Sequence, residues 1–318
     1  MTRSTIDPAA AIAIEGIITA VRQGADVICD RWALSLIVAA FLGHRRFSDL
    51  RERTGLASRL ATMRLRTLLD QGLLIQLPYS IRPPRHEYQL TNMGRAFGPV
   101  IVQMIRWEQN WNGHAGDGLS GLAEIMGGGA IAPELRCQAC GAVTGARDIR
   151  LKVIQAQLKQ KPVKQALHRR SIITSDHISS SLGMLGESLD LFGDKWGVEL
   201  LVCAFTRIRR FNDFRALTGI SANILSDRLA RMIDAGILRR TDEPGSPGGP
   251  GYRLTGKGLD TYGVLVALQD WSDAWLSQRY RSPVQLIHTA CGQTFHPATR
   301  ILPAPRIQAA KRAKMASE

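Results

Sequence analysis

The sequence predicts a mainly α-helical protein with small β-hairpins, in which one domain-sized unit occurs twice in tandem. Three observations predict it: an internal repeat that holds one offset without a gap, apolar residues that recur at helical spacing in each copy, and short strand-like runs around Pro- or Gly-rich bends late in each copy. At 318 residues, 45% of them hydrophobic, the chain exceeds what one small domain needs and suffices for two separate cores.

DRWALSLIVAAFLGHRRFSDLRERTGL from Asp30 recurs as DKWGVELLVCAFTRIRRFNDFRALTGI from Asp194, 164 residues further on. The same offset aligns Trp32 with Trp196, Asp49 with Asp213, Thr54-Gly55 with Thr218-Gly219, Arg64-Leu65 with Arg228-Leu229 and Gly72 with Gly236. Downstream it aligns Tyr88, Leu90 and Thr91 with Tyr252, Leu254 and Thr255, and Trp107 and Trp111 with Trp271 and Trp275. Chance similarity would need insertions to stay in register over about 80 residues, so one domain has been duplicated. The copies span residues 10–112 and 176–280, with 113–175 as a linker and 281–318 as a basic tail.

Within each copy the order reads helix, helix, helix, hairpin, helix. Leu34, Ile37, Val38 and Phe41, matched by Val198, Leu201, Val202 and Phe205, mark a core helix. A short amphipathic helix spans 47–54 (211–218), and Gly55 (Gly219) supplies the turn. A third helix runs on to Gly72 (Gly236), where glycine suits a helix stop. Ser221 is placed to cap that helix in the second copy; Ala57 stands there in the first, which moves the cap to Ser58. Residues 73–77 and 85–91 read as strands around a Pro-rich bend, and 243–250 is the matching bend. A long helix closes each copy, Met93 to Trp111 and Lys257 to Ser277. Its stripe of Phe97, Val100, Met104, Trp107 and Trp111 suits a helix–helix interface.

Lys and Arg number 41 against 27 Asp and Glu, a net charge of +14, so the molecule attracts polyanions, nucleic acid first among them. The excess is about +5 over residues 1–112, +4 over 113–176, zero over 177–280 and +5 in the tail, which makes the first half and the tail the better partners for phosphate. No apolar window approaches the roughly 18 residues of a membrane span, and the amino terminus lacks an export signal, so a cytoplasmic location without membrane contact is expected. Five cysteines are too few and too scattered for a disulfide framework, and Cys29 and Cys203 sit in apolar helical patterns. Reduced thiols are expected. The chain has no P-loop, no G-x-G-x-x-G after a strand, no H-E-x-x-H and no G-x-S-x-G, and Gly127-Gly128-Gly129 lacks a following Lys-Ser or Lys-Thr. Nothing here points to an enzyme.

Taken in order, DRW or DKW, RRF-x-D-[LF]-R, T-G-[LI], a Pro-containing hairpin in the first copy (IRPPRHEYQLT) and Y-x-L-T-x-x-G resemble the HxlR-type winged helix-turn-helix regulators, relatives of the MarR class. The resemblance covers both copies. It implies bacterial transcription factors that act as homodimers on double-stranded DNA, with terminal helices packed together so that two recognition helices face one duplex. Two copies on one chain would form an intramolecular pseudo-dimer with both half-site readers, and their divergence suits an asymmetric operator. Some members carry a redox-responsive cysteine followed by proline upstream of the tryptophan; this chain has no such pair in its first copy and Ser179-Ser180-Ser181 in its second, against thiol sensing by that route.

In a winged helix the third helix enters the major groove, so its exposed polar residues read bases. The first copy offers Ser58, Arg59, Thr62 and Arg66, the second Ala222, Asn223, Ser226 and Asp227. Arg59 suits a guanine edge and Asn223 an adenine edge; the bland alternative is a solvated helix face. Arg82 and Arg85 on the first wing suit phosphate or the minor groove. The equivalent positions of the second copy are Ser246 and Gly249, near Asp242 and Glu243, so the first copy is expected to dominate binding. Arg64 and Arg228 suit a phosphate contact or a salt bridge back to Asp49 and Asp213, and the matched acids in both copies favour the bridge. A protein-interaction module without specific DNA binding is the alternative function; salt-dependent binding separates the two.

Cys137-x-x-Cys140-Gly follows the first copy and His288-x-x-Cys291-Gly the second. Together they supply the Cys3His set of a tetrahedral zinc site at zinc-ribbon spacing. Each alone is half a site, and the alternative is a vestigial ribbon or a reduced surface turn with no cofactor required.

Overall fold

The computed structural model describes residues 8–28, 30–113, 130–154, 185–241, 251–276 and 282–302. The first copy opens with α1 (Pro8–Ile28), whose Ile14, Ile17, Ile18, Val21, Ala25 and Ile28 share one buried face at helical spacing. The Asp30 carboxylate accepts from the amides of Trp32 and Ala33 and so caps α2 (Arg31–Phe41). A short α3 (Phe47–Thr54) ends at Gly55, whose φ of 70° favours glycine. The third helix, α4 (Ser58–Asp70), leads into an antiparallel hairpin of β1 (Leu74–Ile81) and β2 (Pro84–Leu90). The Tyr88 amide donates to the Arg45 carbonyl at 2.7 Å, and the backbones of Arg46 and Glu87 form an isolated antiparallel bridge, so the wing is pinned to the chain entering α3.

The closing helix, expected as one, is two: α5 (Asn92–Arg95) and α6 (Gly98–Asn112). Pro99, in the first turn of α6, has no amide to continue the ladder. Thr91 explains its motif here: its hydroxyl donates to the Gly72 carbonyl at 2.6 Å and accepts from the Gly94 amide at 3.0 Å. A side chain on Gly94 would collide with the Leu73 carbonyl. The Y-x-L-T-x-x-G run thus ties the hairpin's end to the end of α4.

Strands β3 (Ala130–Cys137) and β4 (Ile149–Val153) lie between the copies. The second copy then repeats the plan with α7 (Gly186–Phe192), α8 (Lys195–Phe205), α9 (Phe211–Thr218), α10 (Ala222–Asp234), β5 (Leu238–Thr241), β6 (Gly251–Leu254), α11 (Gly256–Asp260) and α12 (Tyr262–Leu276). Thr255 repeats the lock of Thr91, bonding to Gly236 and Gly258. The α11–α12 break lies at Thr261, whose hydroxyl donates to the Gly258 carbonyl. Finally β7 (Val284–His288) pairs with β4, and β8 (Pro297–Leu302) pairs with β3.

The length suggested two separate cores, but the buried apolar residues of both copies form one continuous cluster. The reason lies in the helices that cross between copies: α6 packs on its own counterpart α12, and α1 packs on α8 and α12. Asp30 and its counterpart Asp194 meet in an isolated antiparallel bridge. The Trp107 indole donates to the Lys257 carbonyl at 3.0 Å, and Trp271 to that of Met93 at 3.1 Å, the same contact with the roles exchanged. That reciprocity defines a pseudo-two-fold relation within one chain. Trp111 belongs to the stripe only in part, since it is 44% exposed while bonding Asp260.

Among the contacts that break the symmetry are two ion pairs. Arg22 on α1 forks onto Glu199 on α8, both bonds 2.7 Å, with the Glu199 side chain 1% exposed. Burial pushes the Glu199 carboxyl above the usual carboxylate range even with Arg22 beside it. At the repeat's offset the same pair of positions holds Gly186 and Ser35. Arg106 likewise pairs with Asp260 at 2.7 Å, whereas the offset gives Asp270 and Ala96. Burial works to raise Asp260, but Arg106, Trp111 and Asn110 outweigh it and hold the acid below its ordinary range. Among the described residues no helix is long and apolar enough to cross a membrane.

Candidate nucleic-acid interface and metal-ligand cluster

In α4, Ala61, Leu65 and Leu68 are buried, which turns Ser58, Arg59, Thr62 and Arg66 outward together on the opposite side. The Thr62 hydroxyl donates to the Ser58 carbonyl at 2.9 Å. In α10, Leu225, Leu229 and Met232 are buried; Asn223, Ser226 and Asp227 are exposed and Ala222 is half-buried. Asp227 pairs with Arg228 at 2.7 Å and Arg231 at 3.1 Å. Ala57 and Ser221 occupy the N-cap positions, and neither cap makes a side-chain hydrogen bond. Ser58, expected as the cap, is the first helical residue, and its hydroxyl accepts from Arg51 at 3.0 Å.

Arg64 and Arg228 do form salt bridges, but not to Asp49 and Asp213. Their partners are Asp30, at 2.6 Å, and Asp194. Helices α2 and α8 begin against the middle of α4 and α10, which brings the capping carboxylates over the arginines. The DRW and DKW aspartates therefore hold two helices together, each capping one and pairing with the other. Burial raises the Asp194 carboxyl, with Arg228 working against it.

On the first wing Arg82 and Arg85 are exposed at the hairpin tip. Two features there escaped the sequence: Ile81 is 85% exposed, and the Arg46 guanidinium lies 5.0 Å from the Tyr79 ring centroid. The alternation of Ile75, Leu77, Tyr79 and Ile81 was the available signal. Arg51 was also missed, although it stands seven residues before Ser58 in the last turn of α3. The second wing's tip, with Asp242, Glu243, Ser246 and Gly249, lies outside the described residues, as do Cys29, Gly127–Gly129 and Ser179–Ser181.

Cys137, Cys140, His288 and Cys291 converge, with one ligand atom from each lying within 4.8 Å of all the others. The Cys137 and Cys291 sulfurs are 3.9 Å apart, and His288 Nδ1 lies 3.4 Å from Cys140 Sγ and 3.2 Å from Cys291 Sγ. Metal–sulfur bonds of about 2.3 Å give a tetrahedron S···S edges of about 3.8 Å, so the set fits a tetrahedral metal such as zinc. Burial raises the Cys137 thiol, but the Cys140 and Ala139 amides and the neighbouring thiols outweigh it and bring the group below its ordinary range. Cys140 is exposed and lies above that range: the Ala142 amide lowers it, against residual burial and the competing Cys137 and Cys291 sulfurs.

The chain is similar in sequence to known proteins. A family model described as an HxlR-like helix-turn-helix matches residues 27–115 and 191–280. An HTH-type transcriptional regulator of Mycobacterium bovis is 33% identical over 113 residues, 36% of this chain and 72% of the relative. One from Synechocystis is 30% identical over 112 residues, 35% of this chain and 81% of the relative. The crystal structure of PA1607, named as a putative transcription factor, aligns at 29% identity over 41% of this chain and 83% of that one, with a TM-score of 0.32.

Proposed function

Since the chain belongs to the HxlR-like helix-turn-helix family of transcriptional regulators, and so is not an enzyme, we propose that it binds a specific double-stranded DNA site in the cytoplasm, using two unlike recognition helices from one polypeptide. The observation that carries this reading is the reciprocal Trp107 and Trp271 contact, which joins the two copies through their closing helices. We take residues 10–112 and 176–280 as the two readers of an intramolecular pseudo-dimer. Ser58, Arg59, Thr62 and Arg66, with Arg82 and Arg85, form the dominant surface; Ala222, Asn223, Ser226 and Asp227 form the weaker one. Pairing of Asp227 with two arginines of its own helix favours that ranking, because it occupies cations that would otherwise be free to meet phosphate.

Zinc is the metal we assign to the cluster: three thiols and one imidazole match its tetrahedral, sulfur-rich preference. The DNA reading is tested by selecting genomic fragments with the purified full chain at several salt concentrations. One enriched, non-palindromic site whose affinity falls steeply with salt is expected. No enrichment, or salt-independent retention, overturns it in favour of a protein-binding module.

A further inference from the structure

The four ligands sit on a second internal repeat, with its own spacing. Residues 135–144 superpose in pattern on 286–295 at an offset of 151, not 164: Leu135 on Leu286, Ala139-Cys140-Gly141 on Ala290-Cys291-Gly292. The backbone repeats too. Cys137 N donates to Ala142 O at 2.9 Å and His288 N to Gln293 O at 3.0 Å; Gly141 N and Gly292 N donate to the Cys137 and His288 carbonyls, both at 2.8 Å. Gly141 and Gly292 have φ of 74° and 71°, the left-handed conformation that lets the turn close behind the second ligand.

Each turn closes only a minimal hairpin of its own, through the isolated bridges Arg136–Val143 and Ile287–Thr294, and the longer strands pair across the two halves. β3, entering the first turn, pairs with β8, leaving the second; β4, leaving the first, pairs with β7, entering the second. Each half is finished by strands from the other, and both rest on α12 through Leu135, Cys137, Phe295, Tyr262 and Val266. Two-stranded sheets this short are marginal by themselves. Each turn supplies only two donors, so a tetrahedral ion is satisfied only when the linker and the tail are together.

We propose that zinc at Cys137, Cys140, His288 and Cys291 is a structural clasp that fastens the linker between the copies to the carboxy-terminal tail, holding the exchanged strands shut against α12. This rests on the zinc assignment above and is independent of the DNA reading. A protein-only four-ligand set is the closed arrangement of structural rather than catalytic zinc. Because the clasp joins segments that follow different copies, its closure restrains one copy relative to the other.

Amide hydrogen exchange on the full chain tests the clasp, alongside metal analysis, before and after chelation and after adding back Zn2+ or Co2+ alone. About one zinc per chain is expected, with cobalt giving the visible absorption of a tetrahedral thiolate site. Chelation should speed exchange in 130–137, 149–153, 284–288 and 297–302 by about tenfold or more, while α2 and α8 keep their protection. Cys140→Ser, at an exposed ligand, should lose the metal and show the same pattern; His288→Cys should keep both. Absence of bound zinc after add-back overturns the zinc assignment and the clasp together. Zinc bound stoichiometrically, with strand exchange unchanged on its removal, overturns the clasp alone. If Cys140→Ser fails to fold, the chelation and add-back series on the unaltered chain decides.

Discussion

The two copies share their scaffold and differ in their reading face. Both keep the aspartate that caps the second helix and pairs with the third, the left-handed glycine after α3 and α9, and the threonine that locks the hairpin to the third helix. On the exposed side, Arg59 and Arg66 of α4 correspond to Asn223 and Ala230 of α10, and Asp227 adds an acid where the first copy has Met63. The contacts that build each helix-turn-helix unit have been retained on both sides, while its exposed reading face has diverged. A duplicated domain inside one chain permits this, because neither copy must match a partner encoded by the same codons.

The largest expected effect tests the shared scaffold. The Asp194–Arg228 side chains are 7% and 12% exposed, against 25% and 27% for Asp30–Arg64. Asp194→Ala leaves a buried guanidinium without its main partner and should cost about 3–5 kcal/mol of unfolding free energy; Asp30→Ala should cost clearly less. Denaturant melts of both variants measure the gap, and equal losses would mean that burial does not distinguish the two bridges.

The reading face comes next. Arg59→Ala should weaken discrimination at one base position by about 1–3 kcal/mol, and Asn223→Ala by less. Binding to a panel of single-base operator variants separates them; an equal loss ends the claim that the first copy dominates. The wing should change discrimination between sequences least: Arg82→Ala with Arg85→Ala should lower affinity about tenfold for all DNA alike and flatten the salt slope by about one to two units. A change confined to one base position would instead make the wing a sequence reader.

Much of this was legible because duplication writes each structural device twice. The helices, the glycine turns and the unlike reading faces followed from apolar spacing and from matched or mismatched residues at one offset. The partner of Arg64 was not legible, because Asp30 and Asp49 are both matched by aspartates and only the packing of α2 on α4 chooses between them. The shared core was missed for a similar reason: an apolar face shows that something covers it, not whether its own copy or the other does. At the metal cluster the four ligands were readable, but their meeting depends on strand exchange, which two-residue spacings do not encode.

The one-sided Arg22–Glu199 bridge bears on how molecules avoid one another in a crowded cell. If the first copies of two chains paired, each Arg22 would face a Ser35; if the second copies paired, each Glu199 would be buried opposite Gly186 with no cation. A buried carboxylate without its partner is strongly unfavourable, so such cross-assemblies are penalised where the internal pairing is not. The bridge thus acts as a mark of unlikeness, favouring union of a first copy with a second copy over union of two identical ones.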